Sequence, residues 1–577
     1  MEAIRLHNID LTIMIVYAVL IIAYGLYHAK RKDSEEYFLA GRNMIWPIVG
    51  ISLFAANISS STLVGLASSA YQTDTHVYNY EWLAAVVLVF FAIFFLPFYL
   101  KSRVYTMPEF LERRYDSRSR YYFSCITIIG NVLIDTAAGL YVGNIVLQLL
   151  FPGLESWIII VILAFAAAAY TIPGGLNSVI QTEVIQAILL VIGSIILTWF
   201  AFDKVGGWSG MIAGLDAKAA AGDFADKGVH NAEEILSLVR PSSDKFMPWY
   251  GLLLGAPILG FYFWANNQFM VQRVLGAKSL NHGRWGALFA GLLKIPVLFI
   301  MVIPGTLAIM LYADTDITNL NYLTAGGEVC KNLIDCPNAT YPILLFDLLP
   351  TGLLGLVLAG LLAAMMSSVS ATFNSASTLI TMDFVKKFRP KMTSQGLVRA
   401  GQISTLFLVI LASLWATQID KVSDSLFEYL QLVLSFICPP IAAAFILGLF
   451  WKRANASGSI VSLSIGFVLA IIMLVSNVLA KQAVAAGVEP SSFVAFLDGI
   501  HFLMMTFYIF VICMAINIIV SLATAPPPAD KVRDYTWSKS MIAEETEELS
   551  VLPWYQNYRY LAIGLLIITA IVVGFFW

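Results

Sequence analysis

Charge is scarce in this chain. Asp, Glu, Lys and Arg make up only 12% of the 577 residues, against 59% hydrophobic ones, too few charges to solvate the surface of a soluble protein of this size. A polytopic membrane protein with the lipid bilayer as its solvent is expected instead. Cysteine is also rare, and five residues exclude a disulfide framework. Cys125, Cys438 and Cys513 fall in apolar runs, where a thiol is a small apolar filler. Cys330 and Cys336 fall in a polar loop, where oxidising conditions would allow a bridge; their spacing is poor for zinc without further ligands. No basic domain or basic stripe interleaved with aromatics appears, so nucleic acid is not an expected partner. No His/Asp/Glu cluster has metal spacing and no nucleophile–base pair is evident, so an enzyme is not expected either. The apolar run 11–27 lacks a basic leader and a small-residue cleavage site, and reads as a retained first span.

What the chain has in abundance is apolar runs separated by polar turns. They place spans near residues 10–28, 44–71, 79–100, 121–150, 156–172, 178–202, 248–272, 285–311, 352–384, 399–418, 425–450, 456–479, 500–523 and 557–577, an all-α architecture of about fourteen transmembrane helices. An even number puts both termini on one side. Most of the 34 Lys and Arg residues fall in alternate loops, Arg273, Lys278 and Arg284 among them, which the positive-inside bias makes cytoplasmic. Both termini are therefore expected outside, in a cell membrane. Residues 203–247 read as an outer cap with short helices and no chemistry of its own, and 524–556 as a cytoplasmic linker.

The stretch from Trp46 to Tyr71 is long enough to cross a bilayer, yet its middle carries Ala55, Ala56, Asn57, Ile58, Ser59, Ser60, Ser61 and Thr62. At about 1.5 Å per residue, Asn57 lies roughly 17 Å into the segment, near the middle of a hydrocarbon layer about 30 Å thick. Such a run is tolerated only against protein or a watery cavity. A helix broken at mid-membrane frees carbonyls and hydroxyls that replace a cation's water shell; the alternative is a packed helix whose serines bond back to their own turn. Five spans later GFYFWANNQFMVQR interrupts another apolar helix with Asn266, Asn267 and Gln268. Matching interruptions in two oppositely running halves point to an inverted-repeat transporter. On the ninth span Ala364, Ser367 and Ser368 stand at i, i+3 and i+4, which puts a carbonyl and two hydroxyls on one face. A hard cation such as sodium takes oxygen ligands of this kind, although serine is also ordinary packing in membrane helices.

Among the ionisable residues within or at the edge of spans, four stand out. Asp135 is deep enough that burying its charge unpaired would cost several kcal/mol; it is functional, or a structural ion pair, or protonated. Glu183 follows the Pro173-Gly174-Gly175 turn by about two helical turns. Glu81 is a boundary carboxylate, the commoner case, or a cavity group facing solute. Lys294 lies roughly 14 Å into its span at about 1.5 Å per residue, too deep to snorkel, and is expected to face a cavity. Phe427 and Gln431, four apart, offer a ring and an amide on one helical face, with helix packing as the plainer role for the ring.

FLAGRN, AANIS, YEW, YTIPGGLNS, NNQFMVQR with GAKS, AAMMSSVSATFNSAS and GLFWKR occur in this order. Together they resemble the sodium–solute symporter family, nearest its sodium/sugar branch, over roughly residues 35–460. The resemblance implies a LeuT-like core of two inverted five-helix repeats, 44–202 and 248–454, with the first and sixth core helices broken, residues 1–43 before it and three spans within 455–577 after it. It implies a site for sodium, the co-transported ion, built from main-chain oxygens of Ala55, Ile58 and Ala364 and hydroxyls of Ser367 and Ser368. Glu183 stands near the ion route, where the family usually has Asp. It implies a solute site with Asn57, Glu81, Lys294 and Gln431 as polar contacts, and Phe427 and Tyr262 or Phe263 at aromatic positions. Thr62 stands where a longer polar side chain is common, Ala84 replaces a serine, Gly260 replaces an Asn or Thr, and Asp135 is an added acid. The expected function is sodium-coupled import of a sugar, with inositol or an amino sugar as alternatives. An amino-acid or carboxylate carrier would want an Arg in the pocket, and no buried Arg is read in the sequence; a membrane sensor would want a soluble output domain, and the chain ends in a span.

Overall fold

The computed structural model describes residues 6–29, 33–151, 153–224, 228–313, 315–320, 329–417 and 426–577, except for the side chains of residues 60, 426–429 and 485. Among them the regular structure is helical, with only isolated bridges such as Met44 to Ala277. Ten described helices are long and apolar enough to cross a membrane, and two bent pairs bring the number to twelve: Trp46–Asn57 with Ser61–Thr73, turning by 56°, and Leu280–Lys294 with Leu298–Tyr312, turning by 42°. The expectation of fourteen counts differently. It divides Ser156–Val205, 50 residues that hold two helices joined at a kink, and it counts the interrupted stretch from Trp249 to Leu275, which is built of short helices. The dividing point is Gly175, whose φ of 58° and ψ of −151° break the helix after Pro173.

Lipid and protein faces separate cleanly. On Ser156–Val205 the side chains of Ile162, Phe165, Ile188, Ile192 and Trp199 are exposed, while Ala164, Ala167, Ala168 and Ser194 are buried. Small residues on the buried face let the element lie close against the Leu353–Leu379 helix, its main partner. That second helix is held at its start by the first span: the buried Asp10 carboxylate accepts the amides of Gly352 at 2.7 Å and Gly355 at 2.8 Å. A carboxylate placed there satisfies amides that have no partner within the helix and meets the positive end of its dipole.

Both ends of the molecule are tied by ions. At one, buried Asp383 receives Arg120 at 2.6 Å, Thr106 at 2.7 Å and Ser124 at 2.5 Å, and Glu112 bridges Arg120 and Lys387. At the other lies the 203–247 segment, which holds the Gly207–Ala221 helix and a buried ionic cluster. Its Arg240 stands 3.4 Å from Asp74 and 3.2 Å from Asp244, and His76 Nε2 is 3.4 Å from the same Asp244. Burial alone would raise the Asp244 pKa, but the His76 imidazole and the amides of Met247 and Phe246 outweigh it and hold this carboxyl well below the usual carboxylate range. Cys330 and Cys336 are joined in a disulfide with Cα atoms 5.9 Å apart, inside the usual span.

Gly175 gives a direct test of this packing. A Cβ there would lie 2.3 Å from the Tyr37 carbonyl oxygen and would sit on a left-handed backbone. Gly175→Ala is expected to lower stability by about 1–3 kcal/mol, read as a lower melting temperature in detergent. Gly564→Ala, where a Cβ meets nothing within 4 Å, should shift it by less than about 0.5 kcal/mol.

Candidate functional site

The centre of the molecule is the gap between the Trp46–Asn57 helix and the helix that resumes at Ser60. Ile58 leaves the helix at φ −81°, ψ 79°, and Ser59 is extended. Serine favours this because its hydroxyl can replace a backbone partner: Ser59 Oγ accepts the Thr62 amide at 3.1 Å. The Ser59 amide donates to the Asn57 carbonyl at 2.9 Å, to which the Thr62 hydroxyl also donates at 2.8 Å. In an unbroken helix the Ser59 and Thr62 amides would have gone to the carbonyls of Ala55 and Ile58. Among the described residues those two oxygens have no backbone donor, in a part of the protein where an unmade hydrogen bond is costly.

A small cavity of about 10 Å³ lies against them, bounded also by Ala364, Ser367 and Gln186, with room for roughly one water or one small cation. Ser367 Oγ and both polar atoms of the Gln186 amide have no hydrogen-bond partner among the described residues. Ser368 Oγ donates to the Ala364 carbonyl at 2.7 Å. Four of the five expected sodium-site residues thus meet at one cavity, and Ser368, the fifth, stands beside it on the wall of a larger one. Gln186 was missed in the sequence. Its signal was available: it follows Glu183 by three residues, on the same flank of the helix, as an amide buried to 1% exposure.

The larger cavity, of about 140 Å³, lies on the other side of the break. Asn57, Thr62, Glu81, Asp135, Phe263 and Gln431 bound it, as does Gly260. So do Tyr80, Trp264, Ser61 and Thr372, which were not foreseen although Tyr80 adjoins Glu81 and Trp264 adjoins Phe263. Tyr262 is buried away from this wall, as are Ala84 and Lys294. The Phe427 side chain lies outside the described residues.

Two buried ion pairs frame the cavities, and both correct the sequence reading. Of the two readings of Glu81 the second fits: it lines the larger cavity, is 5% exposed and pairs with the fully buried Lys294. Lys294 faces this carboxylate rather than a cavity, with the Trp264 ring centroid 5.7 Å from its Nζ. Arg273 is not in a loop. It ends the Gln268–Leu275 helix, buried, and binds Glu183 through Nη2 and, at 3.2 Å, through Nε. Glu183 also accepts from Ser52 at 2.6 Å. It therefore ties three elements together: Ser52 stands on the first broken helix and Arg273 just past the second break, where a wide turn over Tyr262–Asn266 is followed by the extended Asn267. Buried arginines exist after all, Arg114, Arg120, Arg240, Arg273 and Arg284, but none of them bounds the larger cavity.

The model of the family described as "Sodium:solute symporter family" matches residues 37–466. The chain is 34% identical to the sodium/glucose cotransporter 1 of Oryctolagus cuniculus over 553 residues, covering 94% of this chain and 82% of that one. It is 33% identical to the sodium/myo-inositol cotransporter of Bos taurus over 558 residues, covering 94% and 77%. Among solved structures, a substrate-bound, outward-open Na+-coupled sialic acid symporter superposes with a TM-score of 0.72 at 24% identity, covering 90% of this chain and 99% of that one. The last likeness shows the fold.

Removing one partner from a buried pair strands the other charge. Glu183→Gln is expected to destabilise the protein by about 3–5 kcal/mol, and Arg273→Met by a similar amount. The double variant should lose clearly less than the sum, as measured by a double-mutant cycle on thermal unfolding in detergent; additive losses would mean that the pair does not act as a unit.

Proposed function

Because the chain belongs to the sodium:solute symporter family, we propose that it imports a sugar or a closely related polyol together with sodium across the cell membrane. It acts as a carrier rather than an enzyme, with both termini outside on the Lys/Arg bias. Sodium is cargo, held by the carbonyls of Ala55, Ile58 and Ala364 and the hydroxyls of Ser367 and Ser368. The solute occupies the larger cavity, with Asn57, Thr62, Glu81 and Gln431 as polar contacts, Phe263 as the ring on its wall, Phe427 as a further aromatic contact, and Lys294 fixing the Glu81 carboxylate. Residues 44–202 and 248–454 form the two repeats that move against each other.

One observation carries this reading: the broken segment is a wall common to both cavities. Ala55 and Ile58 face the small one, Asn57 and Thr62 the larger. An ion that ties the first broken helix to the Leu353–Leu379 helix therefore sets the position of the residues that grip the solute, and linkage requires the solute to tighten the ion in return. If one sodium ion moves inward with the membrane potential, each 100 mV contributes about 2.3 kcal/mol, enough for substantial accumulation. Glu183 acts on the ion's path through its hold on Ser52 and Arg273. The relatives named above are cotransporters of glucose and myo-inositol, both neutral polyols, and a cavity walled by hydroxyl, amide and aromatic groups suits that class.

Two variants separate the sites in proteoliposomes. Ser368→Ala should raise the sodium concentration for half-maximal sugar uptake by about tenfold, ~1.4 kcal/mol, and retained sodium dependence would count against the assignment. Gln431→Ala should raise the half-saturating sugar concentration by a similar factor and leave sodium binding, measured without sugar, unchanged. Parallel loss of both properties in both variants would contradict separate sites.

A further inference from the structure

Among the described residues, the charges that line the larger cavity do not balance. Of its two lining carboxylates, Glu81 is neutralised by Lys294, whereas Asp135 has no ion pair and no hydrogen bond among the described residues. Its polar neighbours in the same turn are committed elsewhere: Asn131 Nδ2 donates to Ser375 at 2.9 Å and Thr136 Oγ1 to the Asn131 carbonyl at 2.7 Å. Among the described residues no Lys or Arg lines this cavity, while Tyr80, Phe263 and Trp264 do. Asp135 is half-buried on the cavity wall; a carboxylate in such a place costs free energy unless a cation meets it or it takes up a proton, and aromatic walls favour a cation in the same space. The turn itself is a wide one over Asn131–Thr136, a local irregularity often found where a side chain is put to use.

We propose that this pocket prefers polyhydroxylated solutes carrying a protonated amine, such as amino sugars and aminocyclitols, over their neutral counterparts, with Asp135 accepting the ammonium protons. The proposal rests on the polyol reading of the pocket and narrows it. It also sets Asp135 apart from Asn57 and Gln431, whose amides serve hydroxyl groups on any sugar.

The test is sodium-driven uptake into proteoliposomes at about pH 6.5, so that the amine carries its proton, with labelled galactose and labelled glucosamine as the two cargoes. Unlabelled glucosamine, glucose and N-acetylglucosamine serve as competitors. Glucosamine is expected to compete at a concentration at least tenfold below that of N-acetylglucosamine, which has the same frame without the charge, and Asp135→Asn should bring the two to parity. A second measurement needs no variant: in sodium, glucosamine should raise the melting temperature of the purified protein more than glucose does at equal concentration. Equal potency of the charged and neutral sugars, equal thermal stabilisation, or a preference that survives Asp135→Asn would overturn the proposal while leaving sugar transport standing. If neither galactose nor glucosamine is taken up with sodium, the polyol reading itself fails and this proposal with it.

Discussion

A peptide group in the middle of a membrane must find a partner, and the protein is arranged around two that do not find one along the chain. Where the Trp46–Asn57 helix stops, the Ser59 and Thr62 amides turn to Asn57 and to the Ser59 hydroxyl, so among the described residues the Ala55 and Ile58 carbonyls have no backbone donor, and both residues line a small cavity. In water such a break would cost little. Within the bilayer each unpaired oxygen costs on the order of kcal/mol, and a cation that replaces the missing donors recovers it. On the proposed function, a bound sodium would supply the missing partners at the break, and its affinity would draw on that gain. The same few residues then present Asn57 and Thr62 to the larger cavity on the other side, so the two ligands share a support.

Buried ion pairs keep that support from collapsing or drifting. Glu183 is placed where three elements meet, with Ser52 on the broken helix and Arg273 beyond the second break. Glu81 and Lys294 fix the far wall of the larger cavity. Such pairs contribute little net stability, because desolvation offsets their attraction, but each permits only one arrangement of its helices. Pairs at both ends, Arg120 with Asp383 and Arg240 with Asp74, tie segments far apart in sequence, whereas the central ones lie next to the cavities.

Much of this was legible in the sequence for identifiable reasons. The two interrupted stretches stand out because polar runs in apolar segments are rare and need a cause, and the Ala364, Ser367 and Ser368 pattern is legible because helical periodicity fixes which residues share a face. What could not be read was the register between distant helices. Lys294 is visible as a deep lysine and Glu81 as a boundary or cavity carboxylate, but nothing local says that the two, 213 residues apart in sequence, pair with each other. Arg273 was assigned to a loop because a polar turn follows it closely; the short helix after the second break returns it to the interior. The choice between Tyr262 and Phe263 was open for a similar reason, since a wide turn shifts the phase of the helix and the cavity receives Phe263 alone. Gln186 carried a signal too quiet to notice, and the ionic cluster under the 203–247 cap had none in local sequence, because His76 and Asp244 come from separate segments.

The most direct test of a shared support is equilibrium linkage between the two ligands in the purified protein. The dissociation constant of the transported sugar, measured by calorimetry in sodium and again with sodium replaced by choline, should rise at least tenfold on replacement. The sodium dissociation constant should fall by the same factor when saturating sugar is present. A sugar affinity indifferent to the exchange of sodium for choline would contradict the account.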